Sequence, residues 1–201
     1  MDDHANLSIP DTLTEIEIAT RALDFQMASD HLTGSLLRTL VASKRSGRIL
    51  ELGTGTGLSS CWILDGMDDS ARLTTVDNDE KVVSVAIEYL SSDSRVKFHV
   101  EDGSAFLRKL DKGSYDLIFA DTWPGKYWDL DLALELLADG GLYLIDDMLP
   151  QESWPEDHAP KVERLIKELE SRSDLATTKL NWSTGIILVS HRNTKYACEQ
   201  R

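Results

Sequence analysis

The fold is decided by the stretch Arg48-Ile-Leu-Glu-Leu-Gly-Thr-Gly-Thr-Gly-Leu-Ser-Ser60. Residues 48–52 form a short run, apolar at Ile49, Leu50 and Leu52, of the kind that parallel sheets bury on both faces. Gly53, Gly55 and Gly57 then turn the chain into a helix that begins near Leu58. Glycine suits such a turn because its backbone reaches positive φ and leaves room for a ligand where a Cβ would stand. Strand, glycine turn and helix together begin a βαβ unit, and the sequence on either side continues that pattern.

Upstream, Leu13, Ile16, Ala19 and Leu23 within 11–24, and Leu32, Leu36, Leu37, Leu40 and Val41 within 30–43, recur at helical spacing. Two N-terminal helices are expected over 1–46. Downstream, short apolar runs at 73–76, 96–100, 115–120 and 141–145 alternate with amphipathic stretches, among them Val82, Val83, Ala86, Ile87 and Leu90. Another, Leu130, Ala133, Leu134 and Leu137, follows Asp129 as its expected N-cap. Strict alternation implies a parallel sheet with helices on both faces. After a helix carrying Val162, Leu165, Ile166 and Leu169, two runs with no helix between them, 176–180 and 185–190, predict an antiparallel hairpin at one edge. The expected architecture is α/β, a doubly wound, mostly parallel seven-stranded sheet. It is read as one domain over 1–201, with its core in 47–191 and a tail in 192–201.

The 201 residues carry 35 acidic against 21 basic side chains, a net charge of −14, with an ordinary 41% hydrophobic content. Acidity of this size opposes the phosphate contacts of nucleic-acid binding and the pull of an anionic membrane, so neither partner is expected. No apolar run approaches a membrane span, and Met-Asp-Asp-His-Ala-Asn lacks the basic start of a secretory signal, so a cytoplasmic location is expected. Cys61 and Cys198 make neither a disulfide framework nor a metal cluster. His4, His31 and His99 show no triad or zinc spacing.

In open parallel sheets, ligands bind beyond the carboxyl ends of the strands, where the strand order switches. Here those ends carry Glu51, Asp77, Asp79, Glu101, Asp102, Asp121, Asp146 and Asp147. The GxGxG spacing puts Leu58 where a dinucleotide fingerprint wants its third glycine, and no Lys-Ser/Thr follows as a phosphate loop requires. Glu51 would repel a pyrophosphate and attract a cation. Asp77 stands at the next strand end, where an acid commonly holds ribose hydroxyls. The implied ligand is a nucleoside without phosphates that carries positive charge. An NAD-linked dehydrogenase is a weaker alternative, disfavoured by Glu51 and by the glycine spacing.

These residues resemble the class I methyltransferases that use S-adenosylmethionine, and within them the catechol and caffeoyl-CoA type O-methyltransferases. The resemblance runs from about Met27 to about Ser190 and is strongest over 50–59, 117–127 and 140–147. It implies a Rossmann-like methyltransferase fold with S-adenosylmethionine as cofactor. Glu51 and Ser59 would face the methionine portion, Gly53, Thr54, Gly55 and Gly57 would line the turn, and Asp77 with Asn78 would take the ribose. The segment Met27-Ala-Ser-Asp-His-Leu-Thr-Gly34 is similar to the one whose backbone, here near Ser29, holds the methionine carboxylate. Asp102, Gly103 and Ser104 fall at the adenine edge, Trp123 at the aromatic that packs on the adenine, and Asp121 near the sulfonium.

In that family a divalent cation is held by an Asp after the fourth strand and an Asp-Asn pair after the fifth, here Asp121, Asp146 and Asp147. Side chains at the ends of adjacent strands, about 4.8 Å apart, can converge on one ion. Three hard oxygen donors favour Mg²⁺, Mn²⁺ or Ca²⁺. Asp147 departs from the usual Asn, keeping a ligating oxygen and adding charge. Successive strand residues face opposite ways, so both acids can serve only if the strand has ended before them. The family's catalytic lysine is replaced by Pro124, and Lys126, which a Pro124-Gly125 turn can bring to the same space, is the candidate base. Trp123, Trp128, Trp154 and Trp182 fall in segments expected around a flat acceptor, and 148–157 is a candidate lid.

The expected activity is methyl transfer to a hydroxyl of a small acceptor, with an aromatic one suited to such walls, assisted by a divalent cation. Metal-independent N- or O-methyl transfer and a non-catalytic S-adenosylmethionine-binding module stand as alternatives. Monomer and homodimer both stay open. Residues 111–157 hold 12 acids against two bases, Lys112 and Lys126, with Asp129, Asp131, Glu135 and Asp139 placed on a predicted helix. The field of this segment attracts a divalent ion and a sulfonium. It argues against acceptors with several negative charges unless a basic patch from elsewhere in the fold meets them.

Overall fold

A computed structural model describes residues 2–5, 7–151 and 157–192. The elements in chain order are α1 (Leu13–Ala22), α2 (His31–Ala42), β1 (Arg48–Leu52), α3 (Leu58–Gly66), β2 (Arg72–Asp77), α4 (Glu80–Leu90) and β3 (Val96–Val100). They continue with α5 (Gly103–Leu107), β4 (Tyr115–Ala120), α6 (Leu130–Leu134), β5 (Leu137–Ile145), α7 (His158–Ser171), β6 (Leu175–Leu180) and β7 (Ile186–His191). One seven-stranded sheet runs in the order β3-β2-β1-β4-β5-β7-β6. The first five of these pair in parallel, while β7 is antiparallel to both β5 and β6. The sheet and its antiparallel edge are those expected from the alternating runs.

Strand alternation divides the core. Leu50, Leu52, Ile118, Ala120, Tyr143 and Ile145 face one side with residues of α5, α6 and α7. Ile49, Leu117, Phe119 and Leu144 face the other with residues of α1 to α4. Both faces are dry, which is why these strands read as continuous apolar runs. Asp30 caps α2, accepting from the Leu32 and Thr33 amides at 2.7 and 3.0 Å. Gly34 lets α2 lie against α3, since a Cβ there would stand 2.2 Å from the Trp62 ring. The two N-terminal helices therefore belong to the helical layer of the molecule itself.

Two expectations are corrected around residues 129–139. The helix behind Asp129 ends at Leu134, and Leu137 and Asp139 lie in β5, which starts four residues before the predicted 141. The Ser114 amide donates to the Leu136 carbonyl at 2.8 Å and the Gly113 amide to Glu135 at 2.9 Å, drawing this segment alongside β4. Long-range pairing thus overrides a helical periodicity that is only locally favourable. Asp129 is not a side-chain cap: its φ is +57°, and its carboxylate accepts from Ser104 and from Arg108. Among the described residues, no helix is long and apolar enough to cross a membrane.

Candidate active site

The strand order reverses between β1 and β4, and the crevice outside their carboxyl ends is where an open α/β sheet binds ligands. The Asp121 amide donates to the Leu52 carbonyl at 2.9 Å, so the glycine turn and the β4 end leave the sheet side by side. Gly53 has φ +104°, and a Cβ on it would stand 2.8 Å from the Asp121 carbonyl oxygen. Gly57 has φ +91° and lies under Ala86 of α4, 2.7 Å from a would-be Cβ. These two glycines serve close approach of the protein to itself. Gly55 meets only the Phe25 ring, at 3.5 Å, and its amide donates to Asp77 Oδ2 at 2.9 Å.

Asp77 is held from both sides, since its Oδ1 also accepts from the Asp79 amide at 3.1 Å, while Asn78 beside it is exposed. Such bracing fixes a partly buried carboxylate at the β2 end, with lone pairs to spare. Glu51 is completely buried: Ser60 and Thr75 donate to its Oε2, the latter at 2.6 Å, and Thr75 is bonded in turn to Thr54 at 2.6 Å. Its Oε1 has no hydrogen-bond partner among the described residues. Burial pushes the carboxyl up to about 7 against the pull of the Ser59, Ser60 and Thr75 hydroxyls. A buried carboxylate with one oxygen unanswered suits a cationic or donor group on a ligand.

The segment before α2 closes the crevice. Ser29 Oγ donates to Asp121 Oδ2 at 2.9 Å, so its side chain is committed to the β4 end and its backbone is left for other partners. From α1, Thr20 donates to Thr56 at 2.8 Å, which ties that helix onto the glycine turn. On the far side, Asp102 caps α5 through the Ala105 amide at 2.8 Å, and Gly103 faces Pro124, 3.1 Å from a would-be Cβ. Ser104 donates to Asp129, so its hydroxyl has a structural role.

The loop after β4 doubles back on itself. Gly125 takes φ +82°, its amide donates to the Trp128 carbonyl at 2.7 Å, and its own carbonyl accepts from the buried Tyr143 hydroxyl at 2.6 Å. A Cβ at Gly125 would stand 2.5 Å from Leu52. This path carries Lys126 inward until it is 3% exposed, with its charge acting on Asp121 and Asp146. The expected turn at Pro124-Gly125 is therefore real. Tyr127 hydrogen-bonds His158 Nε2 at 2.8 Å, and Trp123 stands edge-on to Trp128 at 5.1 Å with the Lys161 ammonium 4.5 Å above its ring. Burial and the neighbouring Lys126 lower the His158 pKa. Trp182 instead anchors α2 through the Leu32 carbonyl at 3.0 Å, and Trp154 and part of the candidate lid lie outside the described residues.

β5 ends at Ile145, so Asp146 and Asp147 are free of strand alternation. Asp147 takes φ +59°, a region that Asn and Asp enter more readily than most residues. Asp146 is 2% exposed, and its Oδ1 accepts from Thr184 at 2.5 Å and from the Asp147 amide at 2.8 Å. Burial first, then Asp147, raises Asp146 to about 6. Burial, Asp146 and Asp147 raise Asp121 well above the usual carboxylate range. Hard oxygen donors that repel one another suit a divalent cation in kind. As they stand, Asp121 accepts from Ser29 and Asp146 from Thr184, the positive charge beside them is Lys126, and among the described residues no group of three metal-ligating side chains is gathered around one point.

A methyltransferase-domain family model matches residues 50–148, which span the glycine turn, Asp77, Asp121 and Asp146. A Mycobacterium avium (strain 104) protein assigned as an O-methyltransferase is 30% identical over 148 residues, 71% of this chain and 67% of its own length. The chain belongs to this O-methyltransferase family. It spans 66% of the length of another such relative, from Mycobacterium ulcerans. The methyltransferase fold is shared with the O-methyltransferase TomG of Streptomyces achromogenes, solved with S-adenosylmethionine. That structure has a TM-score of 0.79 and 24% identity over 93% of this chain and 92% of that one. A Bacillus cereus O-methyltransferase solved with S-adenosylhomocysteine matches at TM-score 0.80 and 20% identity, covering 94% of each chain. In this member of the family a cavity of about 430 Å³ bordered by Asp69, Asp93 and Arg95 lies at the opposite, amino ends of the strands, away from the crevice. The Cys61 thiol, pushed up to about 12 by burial, is inert.

Proposed function

We propose that this chain is an S-adenosylmethionine-dependent O-methyltransferase acting on a hydroxyl of a small aromatic acceptor. The observation that carries the reading is the pairing, on the adjacent strands β1 and β2 beside the β1/β4 switch point, of a cation-seeking buried Glu51 with a braced Asp77. Asp77 and Asn78 would hold the ribose, Glu51 and Ser59 the methionine portion, the backbone near Ser29 its carboxylate, and Asp102, Gly103, Ser104 and Trp123 the adenine. The cofactor supplies an electrophilic methyl on a sulfonium. Transfer is then mostly a matter of alignment and of excluding water. Lys126, buried at the inner end of the doubled-back loop, orients the acceptor hydroxyl and as the free amine takes its proton. Trp123 and Trp128 offer flat apolar walls for the acceptor ring.

Calorimetry with S-adenosylhomocysteine tests the cofactor: binding in the micromolar range is expected, weakened at least tenfold in Asp77→Ala through loss of charge-assisted hydrogen bonds. No binding at millimolar ligand overturns the reading. Methyl transfer is read as a mass increase on a panel of phenols and catechols. A second reading, transfer assisted by a divalent cation gathered by Asp121, Asp146 and Asp147, is favoured by the mutual repulsion of those carboxylates. Turnover lost in chelator and restored by Mg²⁺ selects it; turnover indifferent to both rejects it.

A further inference from the structure

The acidity of residues 111–157 sets a problem for any anionic acceptor, and the fold answers it with residues from α7. A cavity of about 190 Å³ lies between the loop at Lys126, Tyr127 and Trp128 and the α7 side chains Lys161, Arg164 and Glu168. Three bases against one acid is out of character for a chain of net charge −14. Lys161 is partly committed, pairing with Asp157 while its ammonium sits over Trp123. Arg164 is exposed and makes no ion pair among the described residues. Trp128, on the same cavity, is 44% exposed, and Trp123 beside it 36%. Exposed indoles next to an unanswered guanidinium mark a place built to meet something flat and negative.

We propose that this cavity is the subsite for a carboxylate carried by the acceptor's aromatic ring, an inference that rests on the O-methyltransferase reading and names its substrate class. The volume is below that of a site for a whole small ligand, about 300 Å³ or more, and suits one substituent with the ring edge behind it. Lys126 lines the cavity and its charge also acts on Asp121 and Asp146, which puts the cavity beside the reacting end of the crevice. The field then has a direction. Asp121, Asp146 and Asp147 repel an anion from the inner end, while Arg164 and Lys161 attract it at the outer end. An acceptor with its hydroxyl at one edge and its carboxylate at the other is turned hydroxyl-inward.

The test compares 3,4-dihydroxybenzoate with 1,2-dihydroxybenzene, by calorimetry on protein saturated with S-adenosylhomocysteine and by methyl transfer read in a mass spectrometer. The wild type is expected to bind the benzoate about tenfold more tightly, a preference that shrinks as salt is raised. Arg164→Gln should cut that preference about fivefold and Arg164→Lys by less, because lysine keeps the charge without the planar fork. Lys167→Gln, exposed on the same helix with its ammonium 4.0 Å from Glu163, should leave both preference and turnover unchanged. Equal affinity for the two probes, or a preference that survives Arg164→Gln in a protein of normal melting temperature, overturns the subsite. Equal methylation of both probes also overturns it and leaves the methyltransferase reading standing. Arg164-dependent binding of the benzoate with no transfer to either probe supports the subsite and removes that reading.

Discussion

Replacing Asp146 with asparagine should stabilise the protein at neutral pH while impairing its chemistry. Its carboxyl is raised from 3.8 to about 6, chiefly by burial and then by Asp147. A rise of about two pH units corresponds to about 3 kcal/mol of differential stability, and the side chain is almost fully buried, so solvent screening removes little of it. The native state holds this proton more tightly than the unfolded chain does. Stability from it is therefore present at low pH, falls as pH climbs from about 4 through 6, and is wholly lost at pH 7.5. Asparagine keeps an oxygen to accept from Thr184 and from the Asp147 amide and has nothing to ionise. Losing the attraction to Lys126 offsets part of the gain, leaving about 1–2 kcal/mol, or a melting temperature higher by about 3–6 °C for a chain of this length. Thermal unfolding followed by circular dichroism in chelator, at pH 7.5, 6 and 4.5, reads this directly: the advantage of Asp146→Asn should be largest at pH 7.5 and mostly gone at pH 4.5. A variant less stable at pH 7.5, or one with the same advantage at every pH, would refute the reasoning.

Glu51→Gln should behave similarly, because burial raises Glu51 from 4.5 to about 7: a stability gain of up to about 3 kcal/mol at pH 8 that vanishes below pH 4.5, measured by the same melts. The same variant should lose more affinity for S-adenosylmethionine than for the uncharged sulfur of S-adenosylhomocysteine in calorimetry; equal losses would contradict a role in meeting positive charge. Gly53→Ala puts a Cβ 2.8 Å from the Asp121 carbonyl at φ +104° and should lower stability by about 2 kcal/mol or more, seen as a fall in melting temperature of at least about 4 °C. Lys126→Met should lower kcat at least about a hundredfold with KM little changed, and a variant with normal turnover would remove the lysine from the mechanism.

The sheet was legible because its parallel strands are buried on both faces and read as short apolar runs between helical periods. Asp77 and Asp121 were legible for the same reason, since each directly ends such a run. What local pattern cannot show is pairing across long stretches of chain. The helix expected through Leu137 fails because the amides of Gly113 and Ser114 claim the carbonyls of Glu135 and Leu136. The burial of Lys126 depends on Tyr143, which seizes the Gly125 carbonyl from the next strand. The Thr20 and Thr56 tie and the Tyr127 and His158 pair had no signal in spacing at all. Strand order puts the three acids after β4 and β5 at neighbouring strand ends, but the orientations of the Asp121 and Asp146 carboxylates are decided by the hydroxyls of Ser29 and Thr184, which lie in distant segments.

These hydroxyls explain how so much negative charge is tolerated around the crevice. Glu51, Asp121 and Asp146 each accept from neutral donors that hold the carboxylate in place without cancelling its charge. Neutral donors lower the pKa less than burial and the neighbouring acids raise it, so all three stay above the ordinary range. An arginine at any of these places would make a stronger ion pair and a more stable apoprotein, but it would also extinguish the field that a sulfonium needs. Lys126 lies near enough to act on Asp121 and Asp146 yet forms no ion pair with them among the described residues, which leaves most of that field in place. The strain in these carboxylates is therefore a reservoir of binding free energy. A cationic ligand draws on it by lowering their pKa values, and the gain is largest at the pH where the unliganded protein is least stable.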